Sequence, residues 1–60
     1  SKRGQRLDQW MATLRSSVAA RDPPRAAVFD LLHQLSEQWR RPHLSEEILK
    51  LKAQAHALYV

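Results

Sequence analysis

Sixty residues make one domain at most, and a chain this short buries only roughly 60% of the surface its unfolded form exposes, so little core is left in which to shape a substrate pocket. Apolar residues are 43% of the total, with two Trp, one Phe and one Tyr, which excludes a disordered chain. The absence of Cys excludes disulfides, thiolate metal sites and cysteine nucleophiles, while a net charge of +4 favours acidic partners such as nucleic acid, anionic lipid or an acidic protein.

One Gly and three Pro leave few turns, so the elements between them must be long, and several short strands are excluded. Residues 1–5 read as a flexible basic lead-in, and 6–60 as the folded domain. Leu7, Trp10, Met11, Leu14 and Val18 recur at i, i+3, i+4, i+7 and i+11, which predicts a first helix over 6–20. Trp10 falls inside that apolar stripe and is expected in the core, as is Trp39 further on, with a role as interface anchors the alternative for both.

Arg21-Asp22-Pro23-Pro24 breaks the chain, because the residue before a proline is biased out of the helical region. Asp22 is a favourable N-cap and proline is tolerated in a first turn, so a second helix is predicted over 24–41. Its apolar set, Val28, Phe29, Leu31, Leu32, Leu35 and Trp39, covers an arc of roughly 160°. A stripe that wide faces two neighbours, which makes this the central helix, with Leu32 and Leu35 in mid-arc and Trp39 in the core.

Arg41-Pro42 ends that helix by the same steric rule. Ser45 then reads as the N-cap of a third helix over 45–59, with Glu46 and Glu47 at the positive end of its dipole. Leu44 and Leu49 have the spacing of a hydrophobic staple. Ile48, Leu51, Ala55, Leu58 and Tyr59 share the core face. Glu37–Arg41 and Glu46–Lys50 are acid-first i, i+4 pairs.

Three helices joined by short connections pack as antiparallel neighbours. The fold class is therefore all-α: a small up-down-up three-helix bundle without disulfides. No apolar run approaches the ~20 residues of a membrane span, and no signal-peptide h-region follows the basic start. Together with the lack of Cys these features favour the cytoplasm or nucleus. A start without Met and a stop on Leu58-Tyr59-Val60 read as a fragment of a larger protein.

The residues offer no catalytic constellation. His33, His43 and His56 are not spaced to share a metal, which needs three or four convergent ligands. Ser16 and Ser17 have no base held by a third group. The single Gly4 cannot build an oxyanion hole or a phosphate-cradling loop. The expectation is a non-enzyme with no cofactor or metal.

Two surfaces remain. Leu49, Ala53, His56 and Val60 form a second apolar strip on the third helix, more than 100° from its core direction, suited to docking another protein helix or a second copy of the chain. His56 adds a titratable group to it. Lys2, Arg3, Arg6, Arg40, Arg41 and His43 gather at one pole of an antiparallel bundle. That pole could neutralise an acidic protein or the phosphates of DNA or RNA. Glu46 and Glu47, placed on the first turn of the third helix, count against DNA, and no exposed aromatic platform for single strands is expected. The leading expectation is a helical protein–protein docking module, and the alternative is a small nucleic-acid-binding domain using the basic pole.

Overall fold

The structure is a computed structural model that describes residues 2–59, apart from the Arg3 side chain. It contains three helices, α1 (Lys2–Ala19), α2 (Ala26–Gln38) and α3 (Pro42–Tyr59), and no strand among the described residues. They form the expected all-α three-helix bundle. The end of α2 meets the start of α3 through Ser45 and Glu37, and the end of α3 reaches the α1–α2 linker through Tyr59. Arg6 near the start of α1 shares a hollow with Trp39 at the end of α2, which completes the up-down-up order. The molecule measures 36 × 17 × 16 Å.

The core draws Leu7, Met11, Leu14 and Val18 from α1, Phe29 and Leu32 from α2, and Leu44, Ile48, Leu51 and Ala55 from α3. Val28, Leu35 and Trp39 pack against it from the side. Leu32 is buried as its mid-arc position predicts, but Leu35 is only half-buried. α2 and α3 pack most closely and α1 meets α2 least. Ser36 and Ser45, both buried, explain the tight pair, since side chains this small let two backbones approach. Neither hydroxyl is left unsatisfied: Ser36 Oγ donates to the His33 carbonyl at 2.7 Å and Ser45 Oγ to Glu37 Oε1 at 2.7 Å.

Four boundary expectations need correction. The residues taken for a flexible lead-in, from Lys2 onward, are the first turn of α1. Lys, Arg and Gln are good helix formers, and Gly4 is buried in that turn. α2 starts at Ala26 with Arg25 as an N-cap that makes no side-chain bond, so Asp22 does not cap it. Instead the Asp22 amide donates to the Ser17 carbonyl and the Arg21 amide to that of Val18, which closes the C-terminus of α1 as a Schellman motif. α2 stops at Gln38 rather than 41 because the same motif recurs: the Arg41 amide donates to Ser36 and the Arg40 amide to Glu37. In both motifs an arginine takes the left-handed position, with φ of 59° at Arg21 and 56° at Arg40.

α3 starts at Pro42, three residues before the expected Ser45 cap. Proline suits the first helical position, and the Leu44 and Ser45 amides donate to the Arg41 carbonyl. Ser45, Glu46 and Glu47 therefore lie beyond the first turn, which carries no acid. The Leu44–Leu49 staple is absent, since Leu44 is in the core while Leu49 is half-exposed.

Among the described residues the two ion pairs between ordinary charged side chains, Arg15–Glu47 and Lys52–Asp30, run between helices. Arg15 of α1 grips Glu47 of α3 with two bonds, Nη2 to Oε1 at 2.6 Å and Nε to Oε2. That hydrogen bond, above all, holds the Glu47 carboxyl below and the Arg15 guanidinium above their ordinary ranges. Lys52 Nζ donates to Asp30 Oδ1 at 2.6 Å and ties α3 to α2. Glu37 serves Ser45 and lies 3.7 Å from His33 Nε2, not against Arg41. Glu46 and Lys50 form no pair among the described residues.

Candidate functional site: the α1–α2 groove

The connections set the spacing of the helices. α2 and α3 are joined by residues 39–41, whereas residues 20–25 separate α1 from α2. Pro23 and Pro24 keep that longer linker extended, and Arg25 continues it at φ −62°, ψ 154°. Tyr59 Oη donates to the Pro23 and Pro24 carbonyls at 2.7 and 2.9 Å, so the linker is fastened to α3. Arg15 fastens α1 to α3 as well. Among the described residues no ion pair joins α1 to α2, and an open groove of about 390 Å³ runs between them.

Gln9, Trp10, Thr13, Leu14 and Ser17 line one wall, and Pro24, Val28 and Leu32 the other. Beyond Trp10 the groove continues into a smaller hollow of about 120 Å³ bounded by Arg6, Leu7, Leu35 and Trp39. Trp10 stands between the two and is 51% exposed, which overturns its expected place in the core. On the α1 wheel Trp10 lies at the outer margin of the stripe, roughly 70° from its centre. That margin is the signal the spacing rule passed over, because a tryptophan counts as one apolar position wherever in the arc it falls. Leu31 is also exposed, at 48%, but is not among the residues that line the groove or the hollow. Trp39 is half-buried at the far end.

Arg6 is the one charged side chain among the described residues that line the groove and its hollow. Asp30, Glu37 and Glu47 are engaged at α3 or on it, and Asp8 is close enough to Arg15 to favour its charged form. Glu46 lies on the outer side of α3. Asp22 sits in the turn before Pro23, and no carboxylate lines the groove. Arg6 borders its lower end, while Arg25 follows Pro24 at the upper. Among the described residues neither enters an ion pair, nor do Arg21, Arg40 and Arg41.

The two surfaces singled out from the sequence are found as follows. Leu49, Ala53 and His56 all face outward on α3, with Leu49 as the one large apolar group of that strip. Val60 lies outside the described residues. At the pole, Lys2, Arg6, Arg40 and His43 are exposed and Arg41 half-exposed, while the Arg3 side chain lies outside the described residues. Arg6 and Trp39 line the same hollow there. Leu58 and Tyr59, expected on the core face, are 39% and 59% exposed, the Tyr59 hydroxyl being bonded to the linker.

No group of three or more His, Asp or Glu side chains is arranged to hold a metal ion among the described residues, and no helix is long and apolar enough to cross a membrane. Comparison with protein-family models, curated proteins and solved structures finds no match to this chain.

Proposed function

We propose that this chain is a helical protein–protein docking module whose α1–α2 groove receives a helix of another protein. The observation that carries this is Trp10, half-exposed above an apolar groove. Tryptophan is enriched among the residues that dominate binding energy. An apolar groove of this size is the usual receptor for the anchors of an amphipathic helix. From Arg6 to Ser17 the groove runs beside eleven helical steps, or about 16 Å and three turns, which accommodates anchors at i, i+3 or i+4, and i+7. The α3 strip offers one large apolar side chain and is the weaker of the two surfaces.

The test is amide chemical-shift mapping with a helical leucine-stripe peptide. Shifts confined to Gln9, Trp10, Thr13, Ser17, Val28 and Leu32 are expected. Shifts centred on Leu49, Ala53 and His56 would move the docking surface to α3, and none at millimolar peptide would end the proposal.

A second reading rests on the unpaired cations of the pole, Lys2, Arg6, Arg40 and Arg41 with His43 beside them, as a phosphate-binding surface. The first turn of α3 is free of acid, which removes one objection to it. Phosphate contacts give a steep fall of affinity with salt, so an oligonucleotide that does not bind even at low ionic strength would dispose of this reading.

A further inference from the structure

We infer that the helix received by the α1–α2 groove is acidic and amphipathic, with a short apolar stripe and carboxylates at both of its ends. This rests on the docking reading and deepens it by naming the partner's chemistry.

The basis is the way the chain distributes its charge. Three of its six acids are spent at α3, Glu47 on Arg15, Asp30 on Lys52 and Glu37 on Ser45, and none of the six lines the groove. The α1–α2 face is left with uncharged walls; Arg6 lines the hollow beside Trp39 at one end, and at the other the linker carries Arg21 and Arg25 against a single acid, Asp22. A partner helix lying along the groove places its mid-section against Trp10, Leu14, Val28 and Leu32. Its terminal turns then come level with the arginines at the two ends, roughly three helical turns apart. Carboxylates in those turns would face these arginines, with no acid lining the groove between them, and Arg favours carboxylates through its two-pronged geometry.

The same distribution argues against two other occupants. A second copy in a two-fold dimer would bring the identical patch against itself, setting arginine ends against arginine ends with no acid lining the groove between them. A single-stranded nucleic acid needs cations that follow its backbone continuously, whereas Gln9, Thr13 and Ser17 leave the middle of the groove uncharged.

The experiment uses Trp10 as its own reporter. In the full chain carrying Trp39→Phe, Trp10 is the only indole. Two tryptophan-free helical peptides share one leucine stripe and differ only in bearing glutamates or lysines at their ends. The glutamate peptide is expected to shift Trp10 emission to the blue and to bind at least about ten-fold more tightly at low salt, with the ratio collapsing near 1 M, where the Debye length is about 3 Å. Arg6→Gln with Arg25→Gln should erase the preference but leave residual binding of both peptides. Trp10→Ala, checked for helicity by circular dichroism, should lose both.

Equal binding of the two peptides would overturn the acidic partner while leaving the docking reading intact. Binding of neither would bring down the docking reading itself. A concentration-dependent dimer that Trp10→Ala disperses would assign the groove to a second copy, and quenching of Trp10 by oligothymidylate in competition with the peptide would assign it to nucleic acid. Either result overturns the inference.

Discussion

Replacing Arg21 and Arg40 with glycine should make this protein more stable, although it removes two of its ten basic residues. Both hold the left-handed conformation at the C′ position of a Schellman motif, at φ 59° and 56°. In that region the Cβ of an L-residue crowds the following carbonyl oxygen at a cost of about 1–2 kcal/mol. Glycine has no Cβ, but it forfeits about 0.5–1 kcal/mol of chain entropy on folding. Losing a cation just past an exposed helix C-terminus costs roughly a further 0.3 kcal/mol. Each site should therefore gain about 0.5 kcal/mol. The two lie at opposite ends of α2, about 20 Å apart by helical rise, so their effects should add. A total near 1 kcal/mol corresponds to a rise in Tm of about 4–8 °C for a domain this small. Thermal unfolding followed by far-ultraviolet circular dichroism reads it directly. Arg21→Ala with Arg40→Ala is the control: it removes the same charges but keeps the Cβ, and should melt at or slightly below the parent. A glycine variant that melts no higher than the alanine control would refute the left-handed caps and, with them, the turn geometry that spaces α1 from α2.

Three further outcomes are expected. Leu32→Ala should cost on the order of 2–5 kcal/mol in a domain that has only about 3–5 kcal/mol to lose, so its circular dichroism melt should show a largely unfolded chain at room temperature. Ser36→Leu should destabilise by about 1–3 kcal/mol through overpacking of the α2–α3 contact, while Ser36→Ala should melt close to the parent, because its hydroxyl bonds only to its own helix. Glu47→Gln tests the Arg15 pair: a carboxyl whose folded pKa is lowered contributes stability above its unfolded value, and that contribution fades as pH falls through the folded one. With both side chains about a third to a half exposed, the loss at neutral pH should stay below about 1 kcal/mol. It should vanish in acid, so a Tm deficit that persists unchanged at low pH would contradict the assignment.

The core was legible because it follows a period. Leu7, Met11, Leu14 and Val18 were named by helical spacing and are all buried, as are Ile48, Leu51 and Ala55 on α3. What spacing could not deliver was depth within the stripe. Trp10 satisfied the i+3 rule yet lies at the margin of its arc, and Leu31, Leu58 and Tyr59 counted as core on the same footing. All four are exposed in the structure. Helix ends were misread for a different reason. Ser45 and Asp22 carry the right chemistry for N-caps, but capping preference is local, whereas Ser45 is drawn into the α2–α3 interface and the Asp22 amide into the closing turn of α1. Arg40 and Arg21 give no signal in the sequence, since arginine is not expected at a left-handed position. The ion pairs were equally hidden: Arg15–Glu47 and Lys52–Asp30 join residues 32 and 22 positions apart, beyond the reach of any i, i+4 rule.

These contacts also rank the helices by how firmly each is held. α2 and α3 share the tightest packing, two buried serines, the Glu37–Ser45 bond and the Lys52–Asp30 pair. α1 has its four core side chains and one exposed pair to Glu47, while the groove removes contact along its α2 side. Opening free energy follows local buried contact, so native-state hydrogen exchange should be fastest in α1 and slowest in the middle of α2 and α3, around Leu32 and Ile48. A partner seated in the groove would supply the apolar burial that α1 lacks and should stabilise the folded state in proportion to RT ln(1 + [L]/Kd). Adding the glutamate-ended peptide should therefore slow exchange most in α1, near Trp10 and Thr13, and leave the outer turns of α3 near Leu49 and Ala53 at their original rates. Equal protection of all three helices before the peptide is added would mean that α1 is held as firmly as its neighbours, and the groove could not then be the place where this bundle is left incomplete.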